Sequence, residues 1–419
     1  MIQRLEAYHY RCFDHLDIRL SHYQVLAGAN GSGKSTLLDI PLLFQDFLTR
    51  GVAEAFQGAR REGQSPRCQD FRELIYCQRG NYFGFALELD LPSDLKEELL
   101  GQAPKSVTEK PDHFPNALRY EIRFELFNHD LQARDEFLHL VPVVSSEPEG
   151  GWGIGGKRPK SWRLLIDRTG GAPTKIHSGY KRSSFELNLS PVGLALANVP
   201  RDRQKFPASV WLRETLERGV MRYQPNIEAL HRPYPRLEKE LRADGANLPW
   251  LALELRRDDP DLFAAWEEHV KMALPSLEGI EAVQREGDAY AFLKLHYRGG
   301  HSVTSSGLSY GTLQILAVTI LPYLRRLPSL IFLEEPENGI HPRAIEVLLQ
   351  SLSSVYDSQI WVSTHSPVVL AHTDLEAVVV LQSSGSEGSR AILGADHPRL
   401  QDWQGAIDLG SLFAAGVLS

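Results

Sequence analysis

The sequence predicts an α/β protein with a largely parallel core sheet, an antiparallel β-subdomain and an inserted segment that is first β-rich and then helical. Three observations carry this expectation. After the Gly299-Gly300 turn, apolar runs and helical patterns alternate to the end of the chain, which is the signature of a parallel α/β core. Between about 80 and 190, short alternating runs are separated by Pro, Gly and Asn turns and read as strands. From about 208 to 277, patterns such as 211–221 and 261–273 are helical.

Taken in order, runs 2–8 and 16–20 alternate as strands, and 23–27 is a third strand that ends in a glycine-rich turn. From Ser35 the pattern becomes helical, with Leu37, Leu38, Leu42 and Leu43 on one side, and Pro41 is expected to kink or shorten that helix. The β-rich part offers 83–91, 118–127, 137–144, 162–167 and 184–189. The apolar runs 330–333, 359–362 and 377–381 read as core strands, and 409–418 closes the chain. Apolar heptads never persist for three repeats, so no long coiled-coil arm is expected. The expected division is 1–90 as the N-terminal half of the core, 91–290 as an inserted lid or arm, and 291–419 as the C-terminal half.

Of the 419 residues, 42% are hydrophobic and 23% charged, as in soluble globular proteins, and the net charge of −8 excludes a basic nucleic-acid coat. Three cysteines (Cys12, Cys68, Cys77), odd in number and without metal-ligand spacing, argue for a reducing compartment and against a disulfide framework or a cysteine zinc site. The first residues lack the apolar core of a signal peptide. The longest apolar stretch, 313–324, is broken by Gln314, Thr319 and Pro322 and falls short of the ~20 residues that span a bilayer. A cytoplasmic protein with no membrane partner is expected.

Gly28-Ala29-Asn30-Gly31-Ser32-Gly33-Lys34-Ser35 matches G-x-x-x-x-G-K-S, between an apolar strand and a helix. Glycines let backbone N–H groups turn inward onto phosphate oxygens at a helix N-terminus. Asn30, Gly31, Ser32, Gly33, Lys34, Ser35 and Thr36 are therefore candidate ATP contacts, with Lys34 reaching the β- and γ-phosphates and the Ser35 hydroxyl taking one Mg²⁺ position. About 300 residues on, Leu330-Ile331-Phe332-Leu333 leads into Glu334-Glu335 at the C-terminal end of a core strand, where open α/β sheets place ligands. Glu334 is the candidate Mg²⁺ ligand, directly or through water. Glu335 is the candidate base that orients or deprotonates the attacking water. Ser309, 26 residues before Glu335, is a natural N-cap for an apolar helix, with Gly311 beside it. His365 ends the strand after that, within reach of a γ-phosphate.

In this order the motifs resemble the ABC-type ATPases, most closely the RecF/SMC/OLD-like branch known as "AAA family ATPase". The match comprises Walker A (Gly28 to Ser35), the signature (Ser309, Gly311), Walker B (Leu330 to Glu335), the D-loop (Glu337 to His341) and the switch histidine (His365). Tyr10-Arg11-Cys12-Phe13 is similar to the N-F-R-S-F segment of RecF and SMC heads, which makes Arg11 a nucleotide-contact candidate. Gln78, 44 residues after Lys34, is the Q-loop candidate, although a plain surface glutamine fits as well. Asp244-Gly245-Ala246-Asn247-Leu248 is another recurrent stretch of the branch, without a mechanistic role. Glu334 where transporters have Asp, Thr312 in place of the signature Gln, and His341 in the D-loop weaken a transporter reading.

The resemblance implies a P-loop fold of ABC/RecF-head type, with ATP and Mg²⁺ as cofactors. It implies a homodimer, or a higher even oligomer, in which the signature of one protomer closes over ATP bound to the other and hydrolysis reopens the pair. Stand-alone ATPases of this kind resemble sensor subunits of bacterial anti-phage systems, which control a separate nuclease or toxin effector. A RecF-like DNA-repair ATPase is the alternative. The 54 residues after His365 are too few for the Toprim nuclease domain of OLD proteins, so an effector is expected on another polypeptide. Within 151–205, eleven Lys/Arg face only Asp167, Glu186 and Asp202, with Trp152, Trp162 and Tyr180 interleaved. Contact with double-stranded DNA would use that pattern, and a solvated basic loop or a dock for an acidic partner would produce it equally.

Overall fold

A computed structural model describes residues 1–60, 65–144, 154, 158–180, 183–236, 238–383, 388–400 and 407–417. The chain divides into two compact units, one of Met1–Leu20, Asn30–Val220 and Gln382–Ala391, the other of Ser21–Ala29, Met221–Leu381 and Ile392–Ser419. This division differs from the expected 1–90, 91–290 and 291–419. The β-rich half of the expected insertion continues a sheet begun by the N-terminal strands, and its helical half is divided, Pro207–Arg218 falling in the first unit and Leu248–Asp258 and Pro260–Ala273 in the second.

The first unit carries an eight-stranded antiparallel sheet. Its spatial order is Phe13–Arg19, Ile2–Tyr10, Tyr82–Asp90, Pro115–Phe127, Asp130–Pro142, Arg163–Arg168, Thr174–His177 and Ser184–Leu187. Four of the five strands expected within 80–190 have their counterparts at nearly the expected bounds, 137–144 being part of a longer hairpin strand; Thr174–His177 was not legible, because four residues are too few to show a period. Strand alternation sends Leu118, Tyr120 and Ile122 to one face and Arg119 and Glu121 to the other, all fully buried. The apolar face is aromatic: Phe44 lies edge-on to Phe85 and Tyr120 at 5.8 and 5.7 Å, and Phe56 to Phe83 at 5.8 Å. On the opposite face the Arg119 guanidinium donates to both oxygens of Glu6 at 2.6 and 2.8 Å and to Glu121 at 2.6 Å.

The helix Lys34–Arg50 packs on the aromatic face and runs 17 residues without a break at Pro41. The proline does not shorten it. A proline inside a helix costs about 3 kcal/mol, and burial of Leu37, Leu38, Ile40, Leu43, Phe44 and Phe47 on the sheet outweighs that.

In the second unit, four parallel strands form the middle of a six-stranded sheet, in the order Leu330–Glu334, Gln359–Thr364, Tyr23–Gly28 and Val378–Ser383. Each is almost wholly buried, as a sheet covered on both faces requires. A smaller antiparallel sheet places Tyr290–Tyr297 between Tyr234–Pro235 and Leu277–Gln284, with His301–Thr304 paired to it as well. The apolar helix Tyr310–Thr319 is buried from Thr312 onward, and Trp266 Nε1 donates to Thr319 Oγ1 at 3.0 Å. Among the described residues no helix is long and apolar enough to cross a membrane.

Candidate functional site

The strand Tyr23–Gly28 runs directly into the glycine-rich loop, and the next helix starts at Lys34. Gly31 and Gly33 have φ of +77° and +105°, left-handed backbone that side chains disfavour. Gly33 is constrained twice, since a Cβ there would lie 2.8 Å from Phe13 Cζ and 2.9 Å from Cys12 Sγ. The segment Tyr10-Arg11-Cys12-Phe13 thus forms the floor under the loop. The helix has Gly33 as N-cap, with no side-chain cap bond and no acid in its first turn, which leaves the positive end of its dipole uncompensated by a carboxylate there. The Ser32 hydroxyl is buried without a hydrogen-bond partner among the described residues. These features fit a cradle for phosphate oxygens. Thr36 and Ser389 share hydrogen bonds with the Cys12 thiol, whose pKa burial pushes up.

Arg11, at φ +52°, donates to the Arg67 carbonyl and lies 5.6 Å from the Tyr10 ring. Its guanidinium is engaged within the first unit. Gln78 is exposed, at φ +54° on the turn Tyr76–Gln78.

In the parallel sheet, Glu334 stands opposite Ser363, and Ser363 opposite Leu26, so the strands end level with one another. Glu335 follows at φ +47°, a conformation that costs a non-glycine residue about 1–3 kcal/mol and tends to persist at functional sites. Three contacts hold it: its N–H donates to Ser363 O at 2.8 Å, Asn338 Nδ2 donates to its Oε2 at 2.7 Å, and His365 Nε2 lies 3.6 Å from its Oε1. The structure therefore brings Glu335 and His365 together. Asn338 was missed as a partner, although its i+3 spacing from Glu335 was a readable signal.

Glu334 is paired with Arg222, Nη2 to Oε1 at 3.2 Å. Nothing in the sequence signals a contact across 112 positions. Glu337 is buried and accepts from the Thr364 hydroxyl, while its other oxygen has no partner among the described residues. Burial first, then the neighbouring Glu335 charge, raises its pKa.

Ser309 caps the helix Tyr310–Thr319 as expected, its hydroxyl accepting from Thr312 N at 3.2 Å. Thr312 in place of the usual Gln adds a hydroxyl bond to Ser309 at 2.9 Å. A Cβ on Gly311 would lie 2.5 Å from Gly339 O, and Gln314 Nε2 donates to Pro336 O at 3.2 Å, so this helix start and the Pro336-to-Gly339 loop form one packed piece. His341 caps the next helix, Nδ1 accepting from Arg343 N at 3.2 Å, which gives that departure a local reason.

Five of the eight described cations of the basic segment have a carboxylate partner, three of them from elsewhere in the fold. Arg158 pairs with Glu121, Arg168 with Glu136 at 3.7 Å, Lys175 with Glu186 at 3.7 Å, Arg203 with Glu214 and Lys205 with Asp202 at 3.3 Å. Lys160, Arg163 and Arg201 remain without a carboxylate partner among the described residues. Lys157, Lys181, Arg182 and Trp152 lie outside the described residues. No group of three His, Cys, Asp or Glu that could hold a metal occurs among the described residues. A Mg²⁺ ion held by one carboxylate, a hydroxyl and phosphate oxygens needs none.

The fold is that of a P-loop head, of the kind seen in SMC head domains. The SMC head bound to the C-winged helix domain of ScpA matches with a TM-score of 0.50 at 13% identity, covering 93% of this chain and 96% of that one. The SMC head with an extended coiled coil, bound to a ScpA domain derived from Pyrococcus furiosus, has a TM-score of 0.46 at 12% identity (93% and 95% covered). The SMC head domain from Thermotoga maritima has 0.43 at 12% (94% and 98%). The family described as "AAA domain, putative AbiEii toxin, Type IV TA system" matches residues 155–371, just over half of the chain, and the chain belongs to it. No curated protein matches the sequence.

Proposed function

We propose that this chain is an Mg²⁺-dependent ATPase whose heads dimerise over ATP, and that this dimerisation is a switch controlling a separate effector protein, in bacterial anti-phage defence. The observation that carries the reading is Glu335, a strained carboxylate at the end of a core strand, aimed by Asn338 and His365. A base that must meet one water gains from such fixing. Lys34 and the loop N–H groups bind the phosphates, Glu335 takes the water proton, and His365 contacts the γ-phosphate. Mg²⁺, held by Ser35 and Glu334, would neutralise charge on the phosphate oxygens. The helix start at Ser309 and Gly311 serves the nucleotide of a second copy, so a lone head lacks part of the charge stabilisation. Packing of Gly311 on Gly339 ties that helix start to the loop after Glu335. The SMC head of TM-score 0.50 was solved with a partner domain bound, and a protein partner is likewise proposed here. The RecF-like alternative is contact with DNA through 151–205, where five of the eight described cations have a carboxylate partner and Lys160, Arg163 and Arg201 do not.

The test measures ATP hydrolysis and dimerisation of wild type, Lys34→Ala and Glu335→Gln, with and without linear duplex DNA across a salt series. The expected result is slow, DNA-independent turnover, lost in both variants, with Glu335→Gln retaining ATP as a dimer. Stimulation by DNA that fades with salt favours the repair reading instead. Wild-type turnover in Glu335→Gln refutes the assignment of the base.

A further inference from the structure

The stretch Asp244-Gly245-Ala246-Asn247-Leu248, which the motif reading leaves without a role, lies on Tyr223. Gly245 has φ +64°, and a Cβ there would lie 2.9 Å from the Tyr223 hydroxyl. Arg242 braces the turn by donating to Asp244 at 2.8 and 2.9 Å, while the backbone bonds Gln224 N to Ala243 O and Asn226 N to Asp244 O, both 2.8 Å, fasten it to the chain after Tyr223. Tyr223 is buried. Its N–H donates to Phe332 O in the strand that ends at Glu334 (2.9 Å), and its hydroxyl donates to Ala317 O in the helix that starts behind Ser309 (2.8 Å). The residue before it, Arg222, is the one that reaches Glu334.

We propose that Arg222 is the built-in counter-cation of Glu334, positioned by the clamp of Tyr223 under Gly245, and that the divalent ion accompanying the nucleotide binds in competition with it. The inference rests on the nucleotide-site reading above. A guanidinium 3.2 Å from the carboxylate places positive charge where that reading puts the ion, and like charges at one carboxylate repel. Both side chains keep solvent access, at 22% and 28% exposure, so an incoming ion can reach the pair. Among the described residues Nε of Arg222 is buried without a hydrogen-bond partner, and Glu334 is the acid that pairs with this guanidinium. Arg222 is thus a positioning residue that acts through Glu334.

The experiment measures Mn²⁺ binding to the full chain by the EPR signal of free Mn²⁺, with a non-hydrolysable ATP analogue present. Arg222→Gln removes the competing charge and is expected to tighten Mn²⁺ binding about twofold to fivefold, the upper part of the range of an exposed ion pair. Arg222→Lys keeps the charge and is expected to stay within about twofold of wild type. Gly245→Ala, or Tyr223→Phe should the former not fold, is expected to shift affinity in the direction of Arg222→Gln, and no further in combination with it. Unchanged or weaker Mn²⁺ binding in Arg222→Gln with intact analogue binding overturns this inference and leaves the nucleotide site standing. A wild-type chain that binds no nucleotide overturns both.

Discussion

Replacing Gly33 and Gly31 by alanine, one at a time, separates two costs that the same loop imposes. Both positions have left-handed backbone, at φ +105° and +77°, and alanine there costs about 1–2 kcal/mol. At Gly31 nothing lies within 4 Å of the added Cβ, so that cost is the whole effect. At Gly33 the Cβ would approach Phe13 Cζ to 2.8 Å and Cys12 Sγ to 2.9 Å. The Phe13 side chain is completely buried and cannot swing away. Overpacking of this kind adds about 1–3 kcal/mol, which brings Gly33→Ala to roughly 2–5 kcal/mol. Denaturant unfolding of both variants and the wild type measures the difference, and binding of a fluorescent ATP analogue reports the loop. Gly33→Ala is expected to lose more stability than Gly31→Ala and to lose binding with it. Equal costs at the two positions would refute the claim that Cys12 and Phe13 form the floor of the loop.

Other outcomes follow from single contacts. Gly311→Ala drives a Cβ to 2.5 Å from Gly339 O and is expected to cost about 1–3 kcal/mol in thermal unfolding; an unchanged melting temperature contradicts that packing. Thr364→Val takes the hydroxyl from buried Glu337 and leaves a carboxylate without its donor, for about 1–3 kcal/mol by denaturant titration, whereas Thr364→Ser is expected to retain most of the stability. His139, buried beside Trp162, has its pKa lowered to about 4, by burial first and by the Arg158 and Arg119 charges. The folded state therefore stays unprotonated where the unfolded chain takes up a proton, so stability falls as pH drops from about 6.5 toward 4 and levels off below. The upper bound is about 3 kcal/mol, and the pH slope of the denaturation midpoint is expected to flatten in His139→Leu. Lys34→Ala is expected to abolish nucleotide binding by calorimetry, and normal affinity in that variant would remove the phosphate-loop assignment.

Much of the candidate site was legible because its determinants are local. Glycine spacing sets which backbone positions can turn left-handed, and Gly31 and Gly33 do. A serine before an apolar helix caps it, as Ser309 does. An uninterrupted apolar run must be buried on both faces, and the strands 330–333 and 359–362 are, delivering Glu334-Glu335 and His365 at their ends. Chemistry that depends on neighbours in sequence is written in the sequence.

What only the tertiary structure decided are the pairings between distant segments. The charge count over 151–205 left DNA contact, a solvated basic loop and a dock for an acidic partner open, and could not show that Glu121, Glu136 and Glu214, from other elements, pair with Arg158, Arg168 and Arg203. The strands of the expected insertion join the N-terminal strands in one sheet, because an antiparallel edge accepts any strand of suitable register, and register is set by the folded core. Arg222 meets Glu334 only because Tyr223 is locked to the strand ending at Glu334 and beneath Gly245. Glycine conformation, capping and burial pattern are properties of a few consecutive residues. Ion pairing is a property of distance in space, which topology alone determines.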